Sequence, residues 1–396
     1  MLSPTCLFGA EPVQLDLAQF QWNNSFQQVL KSVISMKDGG LVRTALVRLT
    51  EALREVPFLA QAVIAPERLR KDFGADFVLS LQSKTPARSQ LLDRRLICDV
   101  KASGQPRIAR EACLILAESV RSDKRAYPVF IAPYISPASV AICQQYDTGY
   151  LDLAGNCRLA FDTVFIRREG FPNPAVQRRD LRSLYSPKAE RVLRVLLASG
   201  KRTWRTQELA DAADVSLGQV ASVKKLLADR EWIESLPAGF GLQSLDAALF
   251  PLLEEWARNY RPARNFSRDF YSLKAIPVVE ASVTEAGRSL KVPVAFTGFS
   301  GAARFAPAVR YQRVSAYVGG DVDAVANELE LKPVPSGANV TLITPYDDGV
   351  FFGTRKVEGA PVVSPVQIYL DLIQNKGRGE EAASAILEEV IKPLWR

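Results

Sequence analysis

The stretch GADFVLSLQ, residues 74–82, and the stretch RRLICDVKASGQPR, residues 94–107, decide the fold of the first part of the chain. Each contains an apolar run rich in residues that favour strands, and a polar connection with Pro86, Ser89 and Gln90 separates the two runs. This pattern predicts two neighbouring β-strands joined by a turn-forming segment.

Charged residues lie at neighbouring ends of these two predicted strands. Asp76 begins the first strand, and Asp99 lies near the end of the second, with Lys101 two residues further on. Because side chains alternate between the faces of a strand, Asp99 and Lys101 share one face while Val100 points to the other. The sequence therefore predicts that two carboxylates and one ammonium group converge beside the apolar core.

Asp76 and Asp99-Val100-Lys101 resemble the motif of the PD-(D/E)xK nucleases, which have the restriction-endonuclease-like fold. The resemblance implies an αβα sandwich over residues 1–172. It also implies that Asp76, Asp99 and the backbone carbonyl of Val100 bind Mg²⁺ or Mn²⁺, and that Lys101 activates the attacking water. Mg²⁺ prefers oxygen ligands and is usually held by one or two carboxylates. A bound metal ion also acidifies water and neutralises charge on phosphorus.

In the same family a glutamate on the preceding helix often joins the catalytic set, and Glu51 or Glu55 is placed for that role. Ala75 replaces the proline of the motif, which is a departure from the family pattern. An Asp-x-Lys triplet also occurs on solvated hairpin faces, where it serves solubility or a cross-strand pair. A nuclease-like domain can also survive as an inactive binding platform.

The composition is that of a soluble protein with several domains. The chain has 396 residues, of which 47% are apolar and 23% are charged, and this length suggests two to four domains. No apolar run approaches the roughly 20 residues that span a bilayer, and no signal peptide is predicted. The five scattered cysteines favour a reducing cytoplasm over a disulfide framework or a zinc site.

The chain contains no histidine, which limits the chemistry open to it. Ser-His-Asp and Cys-His catalysis, HNH nuclease chemistry and imidazole metal ligands are excluded. Any hydrolysis must therefore rely on carboxylates, lysine and a metal ion. The formal net charge of +7 is compatible with a polyanionic partner.

The rest of the first domain alternates predicted helices and strands. Helices are predicted over residues 41–56 and 108–121, and a short apolar strand follows from residue 126. Ser136-Pro137 predict the start of another helix, with serine as the N-cap, and residues 149–170 form a predicted β-hairpin. A predicted linker begins at Phe171.

Residues 178–245 resemble the winged helix-turn-helix family. Ser186-Pro187 begin a predicted helix, Thr206 and Ser216 are the predicted N-caps of two further helices, and SLPAGFGLQS has the size of a wing hairpin. The resemblance implies that the helix after Ser216 enters the major groove of double-stranded DNA. The predicted DNA-binding residues are Arg205, Thr206, Ser216, Gln219, Ser222, Lys224 and Lys225, with Arg264 further along the chain.

Two basic segments support a nucleic-acid partner. Residues 178–232 contain 12 Lys and Arg against 7 Asp and Glu, and this local excess favours phosphate contact. A winged helix used only for protein contact or dimerisation is the alternative. Residues 258–274 interleave basic and aromatic side chains, which suits either contact with phosphates and bases or a solvated connector between domains.

Residues 258–396 are predicted to form an α/β domain. Its ending, VVSPVQIYLDL at 362–372 and GRGEEAA at 377–383, resembles the C-terminal part of the AbiEi-type antitoxins. These are transcriptional regulators of type IV toxin–antitoxin systems. The resemblance covers roughly residues 140–396 and implies operator DNA as a partner, with a cognate toxin or a second copy of the chain as a further one.

A weaker pattern is similar to the nucleotidyltransferases, which place an Asp-x-Asp metal pair after a Gly-Ser turn. Gly298-Phe299-Ser300-Gly301 is followed here by Asp321-Val322-Asp323. Because the pair follows two glycines and precedes a predicted helix, Asp321 is more simply interpreted as a helix N-cap.

The sequence thus predicts an α/β and α+β multidomain protein with two open functions. One is a Mg²⁺-dependent DNA endonuclease whose winged helix selects duplex DNA. The other is an antitoxin-type transcriptional repressor in which the nuclease-like domain is an inactive scaffold.

Overall fold

The computed structural model describes residues 39–57, 59, 63–67, 75–82, 93–174, 184–308, 310–375 and 377–395. The chain divides into two compact units, residues 1–172 and 173–396. The predicted connection through Pro86, Ser89 and Gln90 and most of the predicted linker, residues 175–183, lie outside the described residues. No helix within the described ranges is long and apolar enough to cross a membrane.

The first unit contains helices on both sides of one sheet. Its helices are α1 (Gly39–Arg54), α2 (Pro106–Val120) and α3 (Pro137–Gln145). Its strands are β1 (Val63–Glu67), β2 (Phe77–Gln82), β3 (Asp93–Val100), β4 (Ala126–Ala132), β5 (Gly149–Asp152), β6 (Cys157–Phe161) and β7 (Val164–Arg168).

The seven strands form one sheet in sequence order, β1 to β7. Strands β1, β2 and β3 are an antiparallel meander, so the predicted strand pair is confirmed, with Phe77 opposite Cys98. Strands β4 and β5 run parallel to β3 because α2 and α3 provide the crossover connections. Strands β5 and β6 form the antiparallel hairpin that the sequence predicted. Strand β7 pairs antiparallel with β6 as a third strand, which the sequence analysis did not separate from β6.

Alternation along β3 decides which side chains face which helix. Cys98 and Val100 pack in the cluster that contains Leu49 of α1, whereas Ile97 packs with Cys113 of α2. The sheet is therefore covered on both faces, which is the three-layer α/β arrangement that the sequence predicted. By the same alternation the side chain of Asp99 lies on the face covered by α2 and α3.

The second unit contains nine α-helices and nine strands within the described residues. The helices are α4 (Pro187–Ala198), α5 (Thr206–Ala213), α6 (Leu217–Asp229), α7 (Phe250–Asn259), α8 (Ile276–Ser289), α9 (Gly298–Ala302), α10 (Val322–Glu328), α11 (Pro365–Ile373) and α12 (Arg378–Ile386). The strands are β8 (Ile233–Leu236), β9 (Gly239–Leu242), β10 (Phe266–Tyr271), β11 (Val294–Phe296), β12 (Val314–Val318), β13 (Lys332–Pro333), β14 (Val340–Thr344), β15 (Arg355–Val357) and β16 (Ala360–Val362).

Helices α4, α5 and α6 with the β8–β9 hairpin precede a larger mixed sheet. That sheet has the strand order β13-β10-β14-β12-β11-β16-β15. The sequence predicted separate domains at 178–245 and 258–396, but the two segments share one continuous core. Leu193 of α4 and Leu209 of α5 belong to the same buried cluster as Ile368 of α11 and Trp395 near the end of the chain.

Four predicted helix caps can be compared with the structure. The Oγ atom of Ser136 accepts a hydrogen bond from the backbone N–H of Ser139 at 3.2 Å, so the cap of α3 is confirmed. The Oγ atom of Ser216 accepts a hydrogen bond from the backbone N–H of Gln219 at 3.2 Å, so that cap is confirmed. The predicted cap at Thr206 is wrong, because α5 already includes Thr206 and Arg205 occupies the N-cap position. Asp321 caps α10, as the simpler interpretation of its Asp-x-Asp motif predicted.

Candidate functional site

The first candidate site lies at the adjoining ends of β2 and β3. The backbone N–H of Asp76 donates to the carbonyl oxygen of Cys98 at 2.8 Å, which fixes Asp76 beside the last residues of β3. Its Oδ2 atom accepts a hydrogen bond from the backbone N–H of Val100 at 2.6 Å. The Nζ atom of Lys101 donates to Oδ1 of Asp99 at 2.7 Å. The structure thus brings together the three charged residues that the sequence predicted.

The electrostatics of this site are set by the burial of Asp99. Its side chain is 1% exposed, whereas that of Lys101 is 37% exposed. Burial raises the pKa of Asp99 to about 6, although the ammonium group of Lys101 lowers it, and the nearby carboxylate of Asp76 adds to the rise. The Oδ2 atom of Asp99 is buried without a hydrogen-bond partner. Such an orphaned acceptor is costly in a native structure and is often a sign of function.

The donor set at this site suits a divalent cation with oxygen ligands. The carboxylate of Asp76 is close enough to raise the pKa of Asp99. A cation between the two carboxylates would offset their repulsion and give the unpaired Oδ2 atom of Asp99 a partner. No group of three or more His, Cys, Asp or Glu side chains is arranged to hold a metal within the described part of the chain. A site with two carboxylates is the kind that Mg²⁺ commonly uses, with water filling the other positions.

Glu51 does not join this set. It lies on α1, which covers the face of the sheet opposite Asp99, and its Oε2 atom pairs with Nη1 of Arg48 at 3.2 Å. Glu55, just beyond α1, pairs instead with Arg168 of β7. The charged constellation therefore consists of Asp76, Asp99 and Lys101.

Asp152 at the end of β5 serves the hairpin turn. Its Oδ1 atom accepts hydrogen bonds from the backbone N–H groups of Gly155 at 2.9 Å and Asn156 at 2.8 Å. Its Oδ2 atom accepts from the Asn156 side chain at 2.8 Å. These bonds hold the β5–β6 turn, so Asp152 has a structural role in the hairpin.

The second candidate site is the exposed face of α6 and the chain near it. Val220, Val223 and Leu227 are the buried residues of α6, and the opposite face is open to solvent. Its exposed residues are Leu217, Gly218, Ala221, Ser222 and Lys225. Exposed cations near α5 and the hairpin are Lys201, Arg202 and Arg205. Exposed cations on a helix face and on the segment before α5 attract a polyanion.

Several residues predicted to contact DNA have local partners. Gln219 is half-buried. Lys224 is also half-buried, with its Nζ atom 4.5 Å from the centroid of the Phe240 ring. The hydroxyl of Ser222 donates to the carbonyl oxygen of Gly218 at 2.9 Å. Arg205 and Lys225 are exposed as the prediction requires, whereas Thr206 is half-buried.

Arg264 lies in a different environment from the α6 surface. Its guanidinium stacks 3.8 Å from the centroid of the Tyr346 ring, and its Nη1 atom is 3.6 Å from Oε1 of the buried Glu190. These contacts place Arg264 at the edge of a buried polar cluster and give it a structural role.

The β8–β9 hairpin is packed against the segment that precedes α5. The backbone N–H of Trp204 donates to Phe240 at 2.7 Å, and the carbonyl oxygen of Trp204 accepts from Phe240 at 3.0 Å. The guanidinium of Arg202 lies 4.1 Å from the centroid of the Trp204 ring and pairs with Glu208. Arg202 is therefore held at the base of the hairpin, a basic position that the sequence analysis did not single out.

Arg191 of α4 was also missed, and it links three parts of the second unit. Its Nη1 atom donates to Oδ2 of Asp214 at 2.7 Å, in the turn between α5 and α6. Its Nε atom donates to Oδ1 of Asp347 at 2.9 Å. Helical periodicity marks Arg191 as a neighbour of the buried Arg194, but the two distant carboxylates cannot be located from the sequence.

The comparisons with known proteins bear on the last part of the chain. A family model described as "Transcriptional regulator, AbiEi antitoxin, Type IV TA system" matches residues 248–392. This segment runs from the end of the β8–β9 region to the last helical turns, so the resemblance seen in the sequence is confirmed for the C-terminal part. No curated protein and no solved structure gave a match.

Proposed function

We propose that this chain is a DNA-binding transcriptional regulator of the AbiEi antitoxin type. The observation that carries the proposal is the exposed face of α6 within a unit whose remainder matches the AbiEi family model. Helices α4 to α6 and the β8–β9 hairpin would act as a winged helix-turn-helix. In such modules the last helix of the three enters the major groove.

The charge distribution supports double-stranded DNA as the partner of this surface. Lys225 projects from the exposed face of α6, and Arg205 and Lys201 lie on the exposed chain before α5. Phosphate contacts by such side chains supply most of the salt-dependent affinity of DNA-binding proteins. A cognate toxin is the second partner that an antitoxin function requires.

A binding titration tests the proposal. The probe is a labelled duplex carrying the region immediately upstream of the gene, with a scrambled duplex of equal length for comparison. We expect the wild-type protein to prefer the upstream duplex, and a variant with Arg205→Ala and Lys225→Ala to bind at least tenfold more weakly, since each lost phosphate contact lowers affinity. Equal, weak binding to both duplexes by the wild-type protein would contradict the proposal.

We propose metal-dependent hydrolysis of DNA as a second candidate function, because Asp76, Asp99 and Lys101 converge at one place. A divalent cation bound there would activate water and neutralise charge on the scissile phosphate. Asp76 and Asp99 would supply carboxylate oxygens, and the carbonyl of Val100 is the further ligand that the nuclease resemblance implies. The half-exposed Lys101 would orient the attacking water or contact the phosphate.

A plasmid assay tests this second function. Supercoiled plasmid and linear duplex are incubated with Mg²⁺ or Mn²⁺ and with wild type, Asp99→Ala, Lys101→Ala or Asp93→Ala. Asp93 lies on the same strand and pairs with Arg125 at the surface, so it controls for a charge change on β3. Cleavage lost only in the first two variants supports the nuclease. Absence of cleavage by the wild-type protein leaves the first unit as a scaffold.

A further inference from the structure

The exposed face of α6 is poor in groups that form hydrogen bonds with bases. Leu217 is 49% exposed, and Gly218 and Ala221 are exposed beside it. The Ser222 hydroxyl on the same face is engaged by the carbonyl oxygen of Gly218. Lys225 is the charged residue of this face. A leucine and two residues with little or no side chain therefore occupy its N-terminal half.

Two side chains of α6 that are suited to hydrogen bonds with bases are less accessible than this face. A glutamine commonly pairs with adenine and a lysine with guanine in the major groove. In α6, however, Gln219 is half-buried and Lys224 lies over the ring of Phe240. Hydrogen-bonded readout of a base by Lys224 would require its ammonium group to leave the Phe240 ring.

We infer that α6 reads thymine methyl groups in the major groove and that Leu217 makes this contact. The inference rests on the proposed DNA-binding function. The N-terminal residues of such helices contact base edges, and Leu217 is the first residue of α6. The C5-methyl of thymine is the apolar group on those edges. Gly218 and Ala221 leave room for the helix to approach closely enough for leucine to cover the methyl.

The test combines a change in the protein with a change in the DNA. The upstream duplex is prepared with thymine or with deoxyuridine throughout, which removes the methyl groups and leaves base pairing intact. Both duplexes are titrated with wild type, Leu217→Ala and Leu114→Ala. Leu114 on α2 is 51% exposed, close to the 49% of Leu217, so it is the matched control for loss of an exposed leucine.

For the wild type and for Leu114→Ala, we expect deoxyuridine to weaken binding by about fourfold for each contacted methyl group. Leu217→Ala should bind the thymine duplex about tenfold more weakly and should not distinguish the two duplexes. Equal sensitivity to deoxyuridine in wild type and Leu217→Ala would overturn the inference. Unchanged affinity in Leu217→Ala would also overturn the inference. A change in the oligomeric state of Leu217→Ala alone would overturn it too, because it would assign Leu217 to a protein interface. If the wild-type protein binds neither duplex, the proposed function itself fails.

Discussion

Arg191 and Asp347 are joined by two hydrogen bonds, from Nε of the guanidinium to Oδ1 at 2.9 Å and to Oδ2 at 3.1 Å. The same guanidinium holds Asp214 in the turn that precedes α6. Asp347 lies within the segment that matches the AbiEi family model. The C-terminal part of the chain is therefore tied directly to the turn that positions the proposed DNA-reading helix.

This link predicts that a substitution far from DNA weakens specific binding. Asp347→Asn should lower affinity for the upstream duplex by roughly 1 kcal/mol, or about fivefold, because the turn before α6 loses part of its support. The slope of log affinity against log salt should not change, since no phosphate contact is removed. Fluorescence anisotropy at several salt concentrations measures both quantities.

Asp347→Glu, which keeps the carboxylate, is the matched control and should recover most of the affinity. A reduced salt slope in Asp347→Asn would mean that Arg191 itself contacts phosphate. Equal losses on the upstream and scrambled duplexes would mean that the link has no role in positioning α6.

The pKa of Asp99 predicts a pH dependence of stability in the metal-free protein. Its folded pKa of about 6 lies above the ordinary value of 3.8, so the folded state binds this proton more tightly than the unfolded state. The resulting stabilisation is complete below about pH 4 and is lost as the pH rises through 6. In EDTA, Asp99→Asn should therefore be more stable than wild type at pH 8 by about 1–3 kcal/mol.

Thermal unfolding at pH 5 and pH 8 measures the effect. Asp93→Asn is the control, because the Asp93 side chain on the same strand is 41% exposed. If wild type and Asp99→Asn lose stability equally between the two pH values, the burial of Asp99 does not destabilise its charged form.

The buried Arg194 predicts a large effect on stability. It is fully buried, its Nε atom donates to Gln367 at 3.0 Å, and its Nη1 atom lies 3.7 Å from Glu190, which is also buried. Arg194→Ala leaves Glu190 without this partner. It should therefore lower the free energy of unfolding by about 3–5 kcal/mol. Urea unfolding of the second unit, followed by tryptophan fluorescence, measures the loss.

Arg202→Ala is the comparison for Arg194→Ala, because Arg202 also pairs with a glutamate but at the surface. Arg202→Ala should lower the free energy of unfolding by about 1 kcal/mol or less. Similar costs for the two variants would show that the buried cluster around Arg194 contributes little to stability.

The charge of Lys225 predicts a change in the salt dependence of DNA binding. Lys225→Ala should reduce the magnitude of the slope of log affinity against log salt by about 0.9 if the ammonium group neutralises one phosphate. Lys356 is an exposed lysine on β15, and Lys356→Ala should keep the wild-type slope. An unchanged slope in Lys225→Ala would remove Lys225 from the interface.

Local patterns in the sequence predicted much of the fold. Alternation and turn residues located β2, β3 and the β5–β6 hairpin, and Ser216 marked the start of α6, because these features depend on neighbours within a few residues. The pairing of Asp76 with the end of β3 also followed, since adjacent strands place such residues together. Thr206 was misassigned as a cap because Arg205 has the extended backbone of the N-cap position without a capping side chain.

Contacts between distant segments could not be predicted. The excess of basic residues over 178–232 favoured phosphate contact, but two of these residues, Arg194 and Arg230, are buried in pairs with glutamates. Arg264 was placed with the DNA-binding residues because of its aromatic neighbours, whereas its partners, Glu190 and Tyr346, are far away in the sequence. Composition gives the net charge of a segment, but only the packed structure shows which charged side chains are exposed and which are buried in pairs.

A footprint on the DNA upstream of the gene, made with hydroxyl radicals in EDTA and repeated with Mg²⁺, tests the central claim most directly. A DNA-binding regulator should protect a discrete window in both conditions, and Lys225→Ala should weaken that protection while Lys356→Ala should not. Two results together would contradict the regulator and favour the nuclease. One is a uniform cleavage pattern in EDTA, and the other is strand breakage by the protein and Mg²⁺ in a control reaction without the radical reagent.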